Sequence, residues 1–405
     1  MSVLVLNAGS STLKFGLFEP AHAGPNAPCS EQLRGLVDHI GTPDTTLTLH
    51  AAHSASDTRR IGAASIQEAC KVVLDGLAHG EFLPSGDFHP ISAVGYRVVH
   101  GGPFRIPTAI TDETLTRIKA LEPLAPLHNP MDVALIEAVR GRLPHVRHVA
   151  VFDTAFHWTM PDAASTYAIP HALAEKYSLR RYGFHGISHR YVSKQALALM
   201  HMPAHGSRLI SCHLGNGASV CAIHHGHSVD TSMGLTPMEG LIMGSRCGDI
   251  DPGLLLFLER TGIGPDALDH LLNSQSGLLG LSGLSGDVRV LERAASTGDG
   301  RAFLALEAFA YRVAKYIGAY AVALDGLDAI LFTGGIGENS EATRRRICRH
   351  LGVLGVSLDM ARNLQEEHHA PLRISSDTSR AQIWVIPTDE EAEIAREVMD
   401  MPVAS

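Results

Sequence analysis

Two arginines stand where an arginine is costly. Arg97 lies in the apolar run Gly95-Tyr96-Arg97-Val98-Val99-His100-Gly101-Gly102, and Arg246 in the glycine-rich Met243-Gly244-Ser245-Arg246-Cys247-Gly248-Asp249-Ile250-Asp251-Pro252. A guanidinium in such surroundings must be paired or must face a cleft, and its planar fork suits carboxylate or phosphate. Arg246 suits a group that reaches a phosphoryl in transfer; pairing with Asp249 or Asp251 is the alternative. Asp153 ends the apolar run Val151-Phe152, where α/β proteins bind ligands. It can hold a hard cation through water or cap the turn that follows. His185, in Gly183-Phe184-His185-Gly186, reads either as a polarised donor or as an ordinary loop histidine.

Other segments carry small polar residues. Asn7-Ala8-Gly9-Ser10-Ser11-Thr12-Leu13-Lys14 follows an apolar strand and returns into another; LISCHLGNGASVCAIHHG, about two hundred residues on, repeats that plan with Asn216 and Gly217 at its tip. Backbone N–H groups of such tips form nests for phosphate, and Lys14 favours that use. Two equivalent tips suggest a duplicated domain with a nucleotide held between the halves; two unrelated hairpins are the alternative. Gly334-Gly335-Ile336-Gly337-Glu338-Asn339 allows close approach to a flat ligand such as adenine, or is a plain turn into a helix. In Pro387-Thr388-Asp389-Glu390-Glu391, Thr388 and Glu391 read as a capping box, which leaves Glu390 for a metal. The P-loop and the dinucleotide-binding glycine fingerprint are both missing, so a nucleotide needs another architecture.

The elements that position these residues alternate. Strands are expected at Val3–Leu6, Leu13–Phe18, Val94–Val99, His148–Phe152, Leu209–Leu214, Ser219–His224, Ala329–Thr333 and Ile383–Ile386. Helical periods cover Met131–Arg140, Ser188–Met202, Arg301–Leu324 and Glu390–Met399. This is an α/β chain. The duplication places one domain at residues 1–152 and a second, nucleotide-binding domain at 153–388, with the helix in 389–405 packing back on the first. The stretch Pro20–Ser30 reads as a surface insertion.

The chain has 405 residues, 45% hydrophobic and 19% charged, with net charge −9. That is enough for two cores and lacks the basic face of a nucleic-acid binder. No apolar run is long enough to span a membrane, and MSVLVLNAGSS has no basic leader region. Six cysteines without C-x-x-C spacing read as reduced thiols and point to the cytoplasm. His224, His225 and His227 read as a solvated loop rather than a soft-metal site, because no cysteine or carboxylate completes a ligand set.

Taken together and in this order, the segments resemble the acetate, propionate and butyrate kinase family. NAGSSTLKF and HLGNGASV carry the resemblance, and GYRVVHGG, VFDTAFH, RYGFHGISH, TPMEGLIMGSRCGDIDP, GGIGEN and PTDEE extend it from Asn7 to Glu391. It implies two duplicated ribonuclease-H-like domains, similar to sugar kinases, Hsp70 and actin, and a homodimer. It implies that Arg97 and Arg246 grip the acyl carboxylate and the phosphoryl in flight, that His185 donates to that phosphoryl, and that His128 assists. Asp153 and Glu390 would position Mg2+ (or Mn2+), with Asn7 beside them. Asn7, Ser10, Thr12 and Lys14 would line the phosphate region, and His213, Asn216 and Gly217 would approach the ATP phosphates. Asp287, Val288, Arg289, Gly335, Ile336 and Asn339 would surround the adenosine. Val99, Leu127, Phe184 and Pro237 would hold the methyl group. Tyr96, Ile187, Cys247, Val288 and Asp389 depart from the family's common residues without removing a group assigned to chemistry.

The expected reaction is ATP-dependent phosphorylation of acetate. Its nucleophile, a carboxylate of pKa roughly 4–5, is already ionised at neutral pH and needs no general base. Bringing one anion onto another is the obstacle, and the arginines, the histidine and the metal address it. Propionate or butyrate kinase is the neighbouring alternative; a nucleotide-gated binding module of the Hsp70 or actin kind is the alternative of another class.

Overall fold

β1 (Ser2–Ala8), SVLVLNA, is buried along its whole length, as a central strand covered on both faces must be. In this computed structural model, residues 2–9, 11–20, 29–51, 57–79, 82, 91–365 and 370–402 are described. The chain divides into two units, residues 1–155 with 389–405 and residues 156–388.

In the first unit β1 pairs antiparallel with β2 (Leu13–Glu19), and β2 pairs with β3 (Ser30–Asp38). β4 (Thr46–Ala51) and β5 (Asp57–Arg60) continue the meander. On its other side β1 pairs parallel with β6 (Ile91–Val98), and β6 pairs parallel with β8 (Arg147–Phe152). The short β7 (Thr108–Ala109) closes that edge, so the order is β5-β4-β3-β2-β1-β6-β8-β7. The helix Asn129–Arg142 carries the chain from β6 to β8 and packs beside Ile66–Ala78. The helix Glu390–Asp400 lies against β1, β6 and β8. Its Ile394 and Val398 fill the space left by Gly95, where a β-carbon would come within 2.8 and 2.9 Å of them.

In the second unit β9 (Arg208–Leu214), β10 (Ala218–His224) and β11 (His227–Thr231) form an antiparallel meander. β12 (Ala329–Thr333) and β14 (Gln382–Val385) add parallel strands on the far side of β9. With β13 (Leu372–Arg373) the order is β11-β10-β9-β12-β14-β13. The core plan β3-β2-β1-β6-β8 is repeated as β11-β10-β9-β12-β14. This is the ribonuclease-H-like arrangement, present twice, and it places the β1–β2 and β9–β10 turns at equivalent positions.

Some boundaries differ from the sequence reading. β6 begins at Ile91 and stops at Val98, before Val99. The capping box at Thr388 and Glu391 does not form: Asp389 caps the helix Glu390–Asp400 by accepting the Ala392 N–H at 2.9 Å. A carboxylate one residue later takes the next N–H of the first turn, and Glu391 turns inward instead. Most of the Pro20–Ser30 insertion, 21–28, lies outside the described residues. All six cysteines are free thiols. Among the described residues no helix is long and apolar enough to cross a membrane. The same residues hold no cluster of three His, Cys, Asp or Glu arranged to take a metal. His224 and His225 instead stack on each other, and Nδ1 of His225 accepts the Gly206 N–H at 2.7 Å.

Candidate active site

In the first unit the parallel pairing of β6 and β8 brings Arg97 to Asp153. Nη2 of Arg97 lies 2.5 Å from Oδ2 of Asp153, and its Nε lies 3.7 Å from Oε2 of Glu390. Burial alone would weaken the Arg97 cation; Asp153 and Glu390 outweigh it and keep it charged. Asn7, at the end of β1, donates its amide to Glu390 at 3.1 Å and to Glu391 at 2.8 Å. Arg34, on β3 two strands from β1, ties Asp389 at 2.7 Å. Asn7, Arg97, Asp153 and Glu390 are thus brought together.

Lys14 pairs with Asn7 across β1 and β2 and points its side chain to solvent. Thr12 closes the turn by accepting the Gly9 N–H on its carbonyl at 2.8 Å. Ser10 lies outside the described residues. His128 precedes the helix Asn129–Arg142. Leu127 is half exposed and Val99 is buried. Asp132, which the sequence reading missed, sits beneath Val99 and accepts its N–H at 3.0 Å. Burial pushes the Asp132 carboxyl up to about 7, against the opposing pull of that N–H and of Arg97.

In the second unit three distant motifs meet at Gly217. A β-carbon built there would lie 3.5 Å from Nη1 of Arg246 and 3.5 Å from Nε2 of His185, so the guanidinium and the imidazole both border this glycine. Arg246 donates to the Pro237 carbonyl at 3.1 Å. Among the described residues it meets no carboxylate, and burial lowers its proton affinity. The alternative partners are engaged elsewhere. Asp249 accepts from Tyr316 at 2.7 Å and lies 3.4 Å from Arg312, and Asp251 caps the helix Pro252–Arg260.

His185 caps the helix Gly186–Leu199 with φ of +56°, a conformation uncommon for a side-chain-bearing residue and often found at working sites. Its Nδ1 pairs with Ser219 Oγ at 2.9 Å, and its ring stacks on His213 at 4.3 Å. Ser188 holds His213 Nδ1 at 2.8 Å. Phe184, buried, accepts a hydrogen bond on its carbonyl from His157 Nε2 at 3.0 Å. Burial drives the His157 ring down to about 4, so it stays neutral.

Beside this group, in the same unit, opens a cavity of about 600 Å³. It is lined by Asn216, Asp287, Val288, Arg289, Gly335, Ile336 and Asn339, every residue assigned to the adenosine together with Asn216. Gly215, Gly286, Glu292 and Ser340 complete the lining and were not read from the sequence. The size suits a nucleoside. Asp287 caps the helix Val288–Ser296 and holds Arg289 at 2.6 Å, while Ser340 donates to Glu292 at 2.6 Å. The walls are therefore fixed by their own bonds.

Fold and site define a kinase of the duplicated ribonuclease-H-like class. The profile of the acetokinase family matches residues 2–396. A relative from Halothermothrix orenii, named acetate kinase, is 46% identical over 399 residues and covers 98% of both chains. The crystal structure of Porphyromonas gingivalis acetate kinase is 40% identical with a TM-score of 0.87, and that of a propionate kinase from Francisella tularensis is 39% identical with a TM-score of 0.87; each comparison covers 98% of both chains. The chain belongs to the acetokinase family.

Proposed function

We propose that this protein catalyses the reversible, ATP-dependent phosphorylation of acetate to acetyl phosphate by direct in-line transfer. The observation that carries the reading is Arg246: a partly buried guanidinium without a carboxylate partner among the described residues, bordering Gly217 together with His185. Such a cation is stabilised by an incoming anion, and more so as charge spreads over the equatorial oxygens of a phosphoryl in transfer. His185 donates to the same group. Arg97, oriented by Asp153, receives the acetate carboxylate, and His128 assists. Lys14, Thr12, Ser10, His213, Asn216 and Gly217 attend the phosphates, and the 600 Å³ cavity takes the adenosine.

Asp153 and Glu390, with Asn7 holding the latter, offer hard oxygen donors of the kind Mg2+ takes, usually one or two carboxylates alongside waters and substrate phosphates. Bound there, Mg2+ or Mn2+ would neutralise phosphate charge.

A hydroxamate assay with ATP, Mg2+ and acetate tests the proposal. Acyl hydroxamate is expected, and silence with acetate, propionate and butyrate would sink it. The Francisella tularensis relative, named propionate kinase, motivates the second reading. Branched Val99 shortens the acyl pocket and favours acetate. Since a methylene is worth only about 1–3 kcal/mol, the kcat/KM values for the three acids decide. A homodimer residing in the cytoplasm completes the proposal. Leu254, Leu256 and Phe257, exposed on the helix Pro252–Arg260, offer an apolar face for association, and light scattering would read the mass.

A further inference from the structure

Past Val98 the strand β6 ends, and the next four backbone N–H groups all turn to side chains. Val99 donates to Asp132 Oδ2 at 3.0 Å, His100 to Asn129 Oδ1 at 3.0 Å, Gly101 to Thr154 Oγ1 at 3.1 Å and Gly102 to His100 Nδ1 at 3.0 Å. Asn129 also returns a bond, its Nδ2 donating to the His100 carbonyl at 3.0 Å. One amide thus pairs both backbone groups of one residue. Asn129, Asp132 and Thr154 are all buried. Burying a carboxylate to satisfy one N–H is an expensive way to end a strand, and a tight turn or a water would do as much.

The placement of these side chains gives the expense a reason. Asp132 holds Val99, two residues from Arg97. Asn129 is the neighbour of His128, and Thr154 is the neighbour of Asp153. Two separate segments, the start of the helix Asn129–Arg142 and the end of β8, each adjoining residues assigned to the reaction, are therefore set in register with the end of β6 by one short stretch of backbone. Nothing in that stretch can relax easily. A β-carbon at Gly101 would lie 2.7 Å from the Phe152 side chain, and Gly102 has φ of +50°.

We propose that Asn129, Asp132 and Thr154 are positioning residues for the acyl acceptor: they fix where Arg97 and Val99 meet the substrate's carboxylate and alkyl end, and so set the discrimination among short acids. The inference rests on the kinase reading above. Each side chain acts through a backbone group, Asp132 also through its charge near Arg97, and touches no reacting atom. Loss of one such bond moves the wall by a fraction of an ångström, which the acid feels and the nucleotide does not.

The experiment compares kcat and KM for acetate, propionate, butyrate and ATP in the full chain and in Thr154→Val, Asp132→Ala and Asp132→Asn. Thr154→Val is isosteric and removes only the acceptor for Gly101. It is expected to raise the acetate KM about fivefold, the worth of one ordinary hydrogen bond, with the ATP KM held within about twofold. The acetate-to-propionate ratio of kcat/KM should fall alongside. Asp132→Ala should do the same more strongly, and Asp132→Asn, which keeps an oxygen for the Val99 N–H, should restore most of the ratio. The proposal is overturned if folded Thr154→Val and Asp132→Ala keep the wild-type ratio, or if the acid and ATP KM values rise in parallel and asparagine gives no rescue. Should Asp132→Ala fail to fold, Thr154→Val decides alone. A wild-type chain silent with all three acids overturns the kinase reading itself, and this inference with it, before any variant is compared.

Discussion

Arg97 is held by Asp153 at 2.5 Å and faces Glu390 at 3.7 Å, whereas Arg246 rests on the carbonyl of Pro237 and, among the described residues, meets no carboxylate. One guanidinium has its direction fixed and its charge balanced in advance. The other is oriented by a neutral group and keeps its charge for whatever arrives. The contrast shows two ways of using the same side chain. In the proposed reaction Arg97 supplies geometry, which an arriving carboxylate would share with Asp153. Arg246 supplies field, in a place where little else screens it.

The largest effect that tests this contrast is on turnover. Arg246→Ala should lower kcat by at least about 10³ while the melting temperature stays level or rises, because a partly buried cation that meets no carboxylate among the described residues is removed. Arg246→Lys should not restore the rate, since a point charge lacks the planar fork. A variant with near-normal kcat in the hydroxamate assay would take Arg246 out of the mechanism.

Arg97→Ala should match that loss of rate and add a stability cost. It leaves Asp153, fully buried, without its cation, and breaking a buried pair from one side costs about 3–5 kcal/mol. Urea unfolding of the two alanine variants side by side would sharpen the comparison. Equal stabilities would break it.

Acid supplies a smaller effect in the second unit. The His157 ring takes up its proton below its ordinary 6.5 when unfolded but only near 4 when folded. Between those values unfolding binds a proton. The stability contributed by the neutral ring is therefore complete above 6.5 and is lost as the pH falls toward 4, at up to about 1.4 kcal/mol per pH unit. Denaturant midpoints for the wild type and His157→Gln across that window would show it, the variant giving the flatter curve. The smallest expected change is Asp389→Ala, which removes a helix cap worth about 1 kcal/mol together with the partly exposed Arg34 ion pair, worth about 1 kcal/mol or less, and should lower the melting temperature with little effect on the acetate-to-propionate ratio.

Much of this was legible in the residues. Asn216, Asp287, Val288, Arg289, Gly335, Ile336 and Asn339 come from three separate segments that the family resemblance grouped around one nucleotide, and they line a single cavity. The strands β1, β2, β8, β9, β10 and β12 announced themselves as apolar runs. β3, Ser30–Asp38, did not, because SEQLRGLVD alternates partly buried polar residues with its apolar ones. Pairing with β2 rather than local hydrophobicity makes it a strand. The Thr388 capping box was misread because Thr388 and Asp389 are both good caps and only the path of the chain selects between them. Asn129 and Asp132 escaped notice for a related reason. An N-P dipeptide advertises a helix start, but nothing local shows that the first turn of that helix grips backbone about thirty residues earlier in the chain.

The helix Glu390–Asp400 carries one more implication. Ile394 and Val398 are wholly buried against β6, and Glu390 and Glu391 take the amide of Asn7 from 383 and 384 positions away. During synthesis the first sheet must therefore wait, with an apolar surface uncovered and Asn7 unanchored, until the ribosome has delivered the helix Glu390–Asp400. The interval before that helix docks is when a chaperone would find the most to hold.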